Sequence, residues 1–242
     1  IMRLYDFECS GNCWKVRLLL DMLGLDYERV PVDSSRGETQ REAFKAVSGR
    51  GQIPVLEDGD VRLWDSQAIL FYLARRYGGS SAGASASGTD APGAGEAGAG
   101  EAGQGGAGSG GADPLSSPRQ GLPPQGPWLP ADPVGEAQVL QWLAVSENEL
   151  LYGLARARVA LKFGRPFDVP ACQAEGRAGL AVLEARLAEH QWLVGAHATI
   201  ADLACYPYVA LAHEADVALD DYPAVRAWCA RIAALPGYRP MG

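Results

Sequence analysis

Positive charge is in short supply in this 242-residue chain: 21 Lys and Arg stand against 29 Asp and Glu, for a formal net charge of −8. Duplex binding draws on a basic surface that releases phosphate counterions, so a nucleic-acid partner is not expected. Histidine is scarce. The three histidines all lie beyond residue 189 and do not cluster. A metal site or a Ser–His nucleophilic arrangement has little to be built from, and no metal is expected. No run approaches the ~20 apolar residues of a membrane span, so no membrane partner is expected. The opening residues lack the charged segment, apolar core and small-residue cleavage site of a secretory leader. The five cysteines are odd in number and scattered, apart from Cys9 and Cys13. That is not a secreted disulfide framework. A cytoplasmic enzyme or binding protein is the expectation.

Glycine is plentiful but uneven, with 16 of 30 lying between Gly78 and Gly126. Residues 79–127 contain no aromatic, Val, Ile or Lys. Such a stretch cannot bury enough apolar surface to offset its chain entropy. It reads as a disordered linker or insertion, longer than any ordinary connection, between folded domains at 2–78 and 128–242.

The first block alternates strand and helix signals. Met2–Phe7 alternates apolar and polar residues, and Cys9–Asn12 is turn chemistry. Cys13–Leu23 carries apolar residues at helical spacing, with Gly24 as its C-terminal cap. Asp26–Val32 is a second strand and Glu38–Val47 a short helix. Ile53–Glu57 and Val61–Leu63 are two strands joined at Asp58–Gly59, a strong hairpin signal. Asp65–Tyr77 is a helix. The predicted order is β-α-β-α-β-β-α. The second block has helical patterns only, at Pro133–Phe163, Pro170–His190, Thr199–His213 and Tyr222–Leu235. It reads as an all-α bundle.

This order resembles a cytosolic glutathione S-transferase, of the serine-type, bacterial-like kind. The local sequences agree. Leu4–Tyr5, Ser10–Gly11–Asn12–Cys13 and Lys15–Val16–Arg17 stand in the family's order, followed by Gly51–Gln52–Ile53–Pro54–Val55–Leu56. Asp65–Ser66–Gln67–Ala68–Ile69 and Thr199–Ile200–Ala201–Asp202 complete the set. The resemblance implies a thioredoxin-like β-α-β-α-β-β-α domain followed by an all-α domain, glutathione as co-substrate, and a homodimer. It also implies a cis bond at Ile53–Pro54, which turns the Ile53 backbone toward the ligand. The family usually carries Asn-Pro where Ser48–Gly49 stands, a departure expected to loosen that loop.

The residues can be read chemically as well. Ser10, in the turn before the first helix, places a hydroxyl where it can donate to a thiolate held over the helix N-terminus. That terminus offers unpaired N–H groups and about half a positive charge. An unperturbed thiol of pKa ~8.5 is only about 3% ionised at pH 7, so a fall of about two units makes most of it thiolate. That requires roughly 2.7 kcal/mol of preferential anion binding. A charge-assisted hydrogen bond of ~1.5–3 kcal/mol plus the helix terminus can supply it. The plainer reading of Ser10 is an N-cap.

Asn12 is a second donor candidate. Gln52 and Ile53 suit the peptide-like part of glutathione, pairing as an added strand would. Ser66 and the helix start suit its γ-glutamyl carboxylate, and Asp65 suits the adjacent ammonium. The plainer reading of Asp65 is again a cap. Lys15, Arg36 and Arg50 are candidates for a locally positive wall. Thr199–Asp202 reads as a structural capping box. Trp142, Tyr152, Arg156, Phe163, Tyr206 and Tyr208 are candidates for the wall of a second-substrate pocket, most of them expected in the core instead.

Three functions follow. The first transfers glutathione to a hydrophobic electrophile. The second is a glutathione-dependent peroxidase or thiol–disulfide reductase using Cys9 or Cys13, since Ser10 and Cys13 occupy the positions of a redox C-x-x-C pair. The third is a non-catalytic binding or scaffold protein on the same fold.

Overall fold

The computed structural model describes residues 1–78 and 126–241. Nearly all of the stretch 79–127 read as a linker lies outside them. The first half runs β1 (Arg3–Asp6), α1 (Gly11–Met22), β2 (Glu28–Pro31), α2 (Glu42–Lys45), β3 (Val55–Asp58), β4 (Val61–Trp64) and α3 (Ser66–Tyr77). The sheet order is β2-β1-β3-β4, with β1 and β2 parallel and the other pairs antiparallel.

Period-two alternation sorts the side chains. Leu4 pairs with Leu56, and both enter the main core beneath α1 and α3. Tyr5 pairs with Val55 on the opposite face, where Val55 packs with Phe44 of α2. The expected helix over 38–47 is instead a 3-10 turn at Glu38–Gln40 followed by the single turn of α2. The extended backbone of Arg41 (φ −68°, ψ 143°) breaks the coil between them. The hairpin turns on Gly59–Asp60 rather than Asp58–Gly59, because Asp58 pairs with Val61 and Gly59 takes the positive φ of 60°.

The second half is helical. α4 (Pro133–Val145) runs into a π-helical stretch at Ser146–Ala155 and on into α5 (Arg156–Phe163). It is followed by α6 (Val169–Leu187), α7 (Ile200–Ala210) and α8 (Pro223–Ala233). The single long helix expected over 133–163 is therefore one path with a wide coil in its middle. Gly153 of that coil packs backbone to backbone against Gly176 of α6, where a methyl on Gly153 would overlap the chain.

α7 is the central helix, with every residue from Ile200 to Val209 buried. The capping box at its start is present, as read from Thr199–Asp202. The buried Asp202 carboxylate also accepts from Trp228 Nε1 (2.8 Å) and the Leu193 amide (3.1 Å). Burial pushes this carboxyl above its usual value, against the pull of those bonds. The two halves meet where Trp14 of α1 packs on Tyr206 of α7, with ring centroids 5.5 Å apart.

Candidate active site

Two adjoining cavities open between the halves. The first, of about 410 Å³, is lined by Asn12, Gln52, Ile53, Asp65 and Ser66, together with Arg50, Glu147, Tyr152, Arg156 and Arg165. The second, of about 640 Å³, is lined by Phe7, Cys9, Ser10 and Gly11, with Arg158, Val159, Phe163, Phe167 and Tyr208 from the helical half. Ser34 and Arg165 line both. All six residues read from sequence as catalytic or glutathione-binding thus border one cavity or the other, and the first turn of α1 stands at their seam.

That turn is firmly held. Ser10 is the N-cap of α1, its Oγ accepting from the Cys13 amide at 3.3 Å. The capping reading is therefore correct. The cap uses Ser10 as an acceptor, and its hydroxyl also lies within hydrogen-bond reach of the Cys13 thiol. No acidic side chain lies in the first turn to offset the positive helix end. Behind the turn, the buried Asp6 carboxylate pairs with Arg17 (2.5 Å) and Arg29 (2.5 Å). Arg17 also donates to the Glu8 carbonyl at 2.9 Å. From the other half, Arg158 donates to the Cys9 carbonyl at 2.9 Å while paired with Glu214 at 2.5 Å. The Ser66 hydroxyl donates to Asn12 Oδ1 at 3.4 Å and links α3 to α1.

The cis peptide falls at Ile53–Pro54, as expected. The loop before it is not loosened. Ser48 is buried, and its Oγ donates to the Gln52 carbonyl (2.9 Å) and accepts from the Gln52 amide (3.3 Å). Asp65 sits at φ +79°, outside the regions most side chains adopt. Its Oδ1 accepts from the amides of Gln67 (3.0 Å) and Ala68 (3.3 Å), so it caps α3. Its Oδ2 faces Arg50 at 3.4 Å.

Several expectations need correction. Cys13 is fully buried, lines neither cavity, and burial pushes its thiol up to about 12. That burial weighs against a redox role through Cys13, since the thiolate is the reactive form. Cys9 does border the second cavity. Lys15 belongs to no pocket wall: it is fully buried, donating to Ser146 Oγ at 2.9 Å. Arg36 projects away with its side chain 81% exposed. The positive groups lining the cavities are Arg50, Arg156 and Arg165 in the first, with Arg158 in the second. Arg156 is sandwiched over Tyr152 (3.9 Å) and toward Phe167 (5.0 Å). Of the six candidates for the second pocket, Phe163 and Tyr208 line the second cavity, Tyr152 and Arg156 line the first instead, Tyr206 lies in the core and Trp142 packs against it. Glu147 and Arg165 carried no sequence signal.

Comparison with known proteins agrees with this architecture. The family model described as "Glutathione S-transferase, N-terminal domain" matches residues 4–81, and "Glutathione S-transferase, C-terminal domain" matches 154–231. Glutathione S-transferase Z2 of Arabidopsis thaliana is 40% identical over 76 residues, 31% of this chain and 34% of that protein. The chain thus aligns with only about a third of the length of that relative. A glutathione S-transferase structure from Xanthobacter autotrophicus is 30% identical, with a TM-score of 0.74 over 100% of this chain and 97% of the other. One from Pseudomonas fluorescens is also 30% identical, with a TM-score of 0.76 over 99% and 98%. The chain belongs to the glutathione S-transferase family.

Proposed function

We propose that this protein is a glutathione transferase: it binds glutathione in the first cavity, stabilises its thiolate at the seam, and transfers the sulfur to a hydrophobic electrophile in the second. The observation that carries this reading is the meeting of two cavities at one helix N-terminus, with Asn12 in the first and Ser10 in the second.

The roles follow from position. Gln52 and Ile53 pair with the peptide portion beside cis Pro54. Ser66 and the start of α3 receive the γ-glutamyl carboxylate, and Asp65 shapes that turn. Ser10, at the second cavity, turns its hydroxyl to donate to the sulfur, with the α1 terminus adding its partial positive charge. The Asn12 carbonyl is taken by Ser66, so its amide nitrogen is the group available as a second donor. The thiolate then attacks the electrophilic carbon, forming the C–S bond as the leaving group departs with its electron pair. Phe7, Val159, Phe163 and Phe167 give the second cavity the apolar wall such a substrate needs. Sharing one cleft supplies part of the acceleration through proximity.

The reading includes two domains, 2–78 and 128–242, joined through 79–127, and a cytoplasmic homodimer, as the resemblance implies. Calorimetry with glutathione, followed by ultraviolet titration of the bound thiol, tests the central claim. A thiolate band that persists near neutral pH supports it. Absence of binding, or a bound thiol that ionises as it does free in buffer, rejects it.

A further inference from the structure

We infer that Tyr208, a residue of the helical half, is a further catalytic residue: its hydroxyl donates to the glutathione sulfur from the side of the cleft opposite Ser10. The inference rests on the glutathione reading above and adds a donor to it.

Tyr208 stands near the end of α7, the buried central helix, and is only 6% exposed. It lines the second cavity with Ser10 and Gly11. Its ring is packed against the start of α1. The ring atoms nearest the place of a Gly11 Cβ are Cε1 (2.5 Å) and Cζ (2.9 Å), and Cζ is the carbon that bears the hydroxyl. Gly11 separates Ser10 of the second cavity from Asn12 of the first, so this edge of the ring stands at the seam. The buried Lys15 Nζ lies 5.3 Å from the ring centroid and helps to hold it there.

The hydroxyl is half-partnered. Its oxygen accepts from the Asn12 backbone amide in the first turn of α1. Among the described residues, none accepts its proton. Two residues earlier in the same helix, the Tyr206 hydroxyl is paired with Tyr238 Oη at 2.9 Å. Burying a hydroxyl without an acceptor is unfavourable, and an anion at the seam supplies one. The bond from Asn12 also polarises the hydroxyl toward donation. Burial pushes the phenol up, while Arg158 and Glu147 act on it in opposite directions. It therefore stays protonated while the bound thiol ionises. No proton leaves Tyr208 in the reaction: it gives a hydrogen bond to the thiolate, which weakens as the sulfur electron pair enters the C–S bond. Ser10 belongs to one half and Tyr208 to the other, so both donors are in place only when the halves are docked.

The test is ultraviolet titration of glutathione bound to the full chain. In Tyr208→Phe the bound thiol should titrate about one unit or more higher, a tenfold loss of ionisation, as expected for a hydrogen bond to a charged group. The same variant should bind S-methylglutathione as the parent does, because that ligand has no thiolate to receive the bond. A 3-fluorotyrosine at position 208, a stronger donor of nearly the same shape, should move the titration the opposite way. Should the Phe variant lose S-methylglutathione as well, the fluorotyrosine titration alone decides. An unchanged titration in the variants that hold S-methylglutathione overturns the inference alone. If turnover falls in them while the titration stays, the hydroxyl serves the electrophile, and the inference is again overturned. A parent that binds no glutathione, or whose bound thiol ionises as it does in buffer, overturns the glutathione reading and this inference with it.

Discussion

The Tyr208 ring occupies the space a side chain at Gly11 would need: a Cβ there would stand 2.5 Å from Tyr208 Cε1 and 2.9 Å from its Cζ. A core tyrosine of the helical half therefore sets the height of the turn that carries Ser10. Gly11→Ala must move the ring or the turn. Overpacking of this kind costs about 1–3 kcal/mol, and a small misplacement near the reacting atoms can lower kcat/KM by about ten- to a hundredfold. Thermal melts and steady-state rates on the same preparation should show both losses.

Ser10→Ala removes one charge-assisted donor and leaves the helix terminus in place. At about 1.5–3 kcal/mol for such a bond, and about 1.36 kcal/mol per unit, the bound thiol should titrate about one to two units higher. Ultraviolet titration reads this directly. Loss of the cap should lower stability by about 1 kcal/mol. An unchanged titration would remove Ser10 from the mechanism.

Cysteine chemistry separates the competing activities. Cys13→Ala should leave conjugation within about twofold and cost stability only, as for a small buried group. Thiol-specific alkylation of the folded protein should reach Cys9, at the second cavity, and spare the fully buried Cys13 and Cys205. If Cys9→Ala abolishes turnover while Ser10→Ala does not, the protein is a thiol–disulfide enzyme and the conjugation reading fails.

Glu214 links acid stability to the active turn. Burial alone would push its carboxyl up, but hydrogen bonds from Lys162 and Arg158 more than reverse this and hold it below its usual 4.5. A lowered folded value means that the contribution is fully present above 4.5 and is lost as pH falls through the folded value. Glu214→Gln should flatten that acidic limb in pH-dependent melts. At neutral pH it leaves the buried Arg158 guanidinium without its partner, at a cost of about 3 kcal/mol. Arg158 also holds the Cys9 carbonyl, so conjugation should fall with stability.

Much of this architecture was legible because local rules and tertiary packing agree. α3 was readable from an acidic cap at Asp65 followed by an apolar stripe. Ser10, Asn12, Gln52, Ile53 and Ser66 stand on turns and helix starts, where short motifs mark the positions that face a ligand. The short elements over 34–47 were less legible, since a left-handed Gly37 and an extended Arg41 break a pattern that still looks helical in composition. The π-helical stretch escaped notice because a wider coil leaves the apolar spacing nearly unchanged. Glu147 and Arg165 could not be placed at all from sequence, and Arg156, a candidate for the second pocket, lines the first cavity. They reach the site only after α4, α5 and α6 dock against α1 and α7, and nothing local encodes that approach.

The wide coil at Ser146–Ala155 also acts as a phase shifter for everything downstream. Each residue of an ordinary α-helix advances its face by about 100°, so deleting one residue from this stretch would rotate the following helix by roughly that amount. Arg156 and Arg158 would swing off their present bearings, one leaving its aromatic sandwich and the other its grip on the Cys9 carbonyl. The length of this segment is thus under tighter constraint than the identity of most of its side chains.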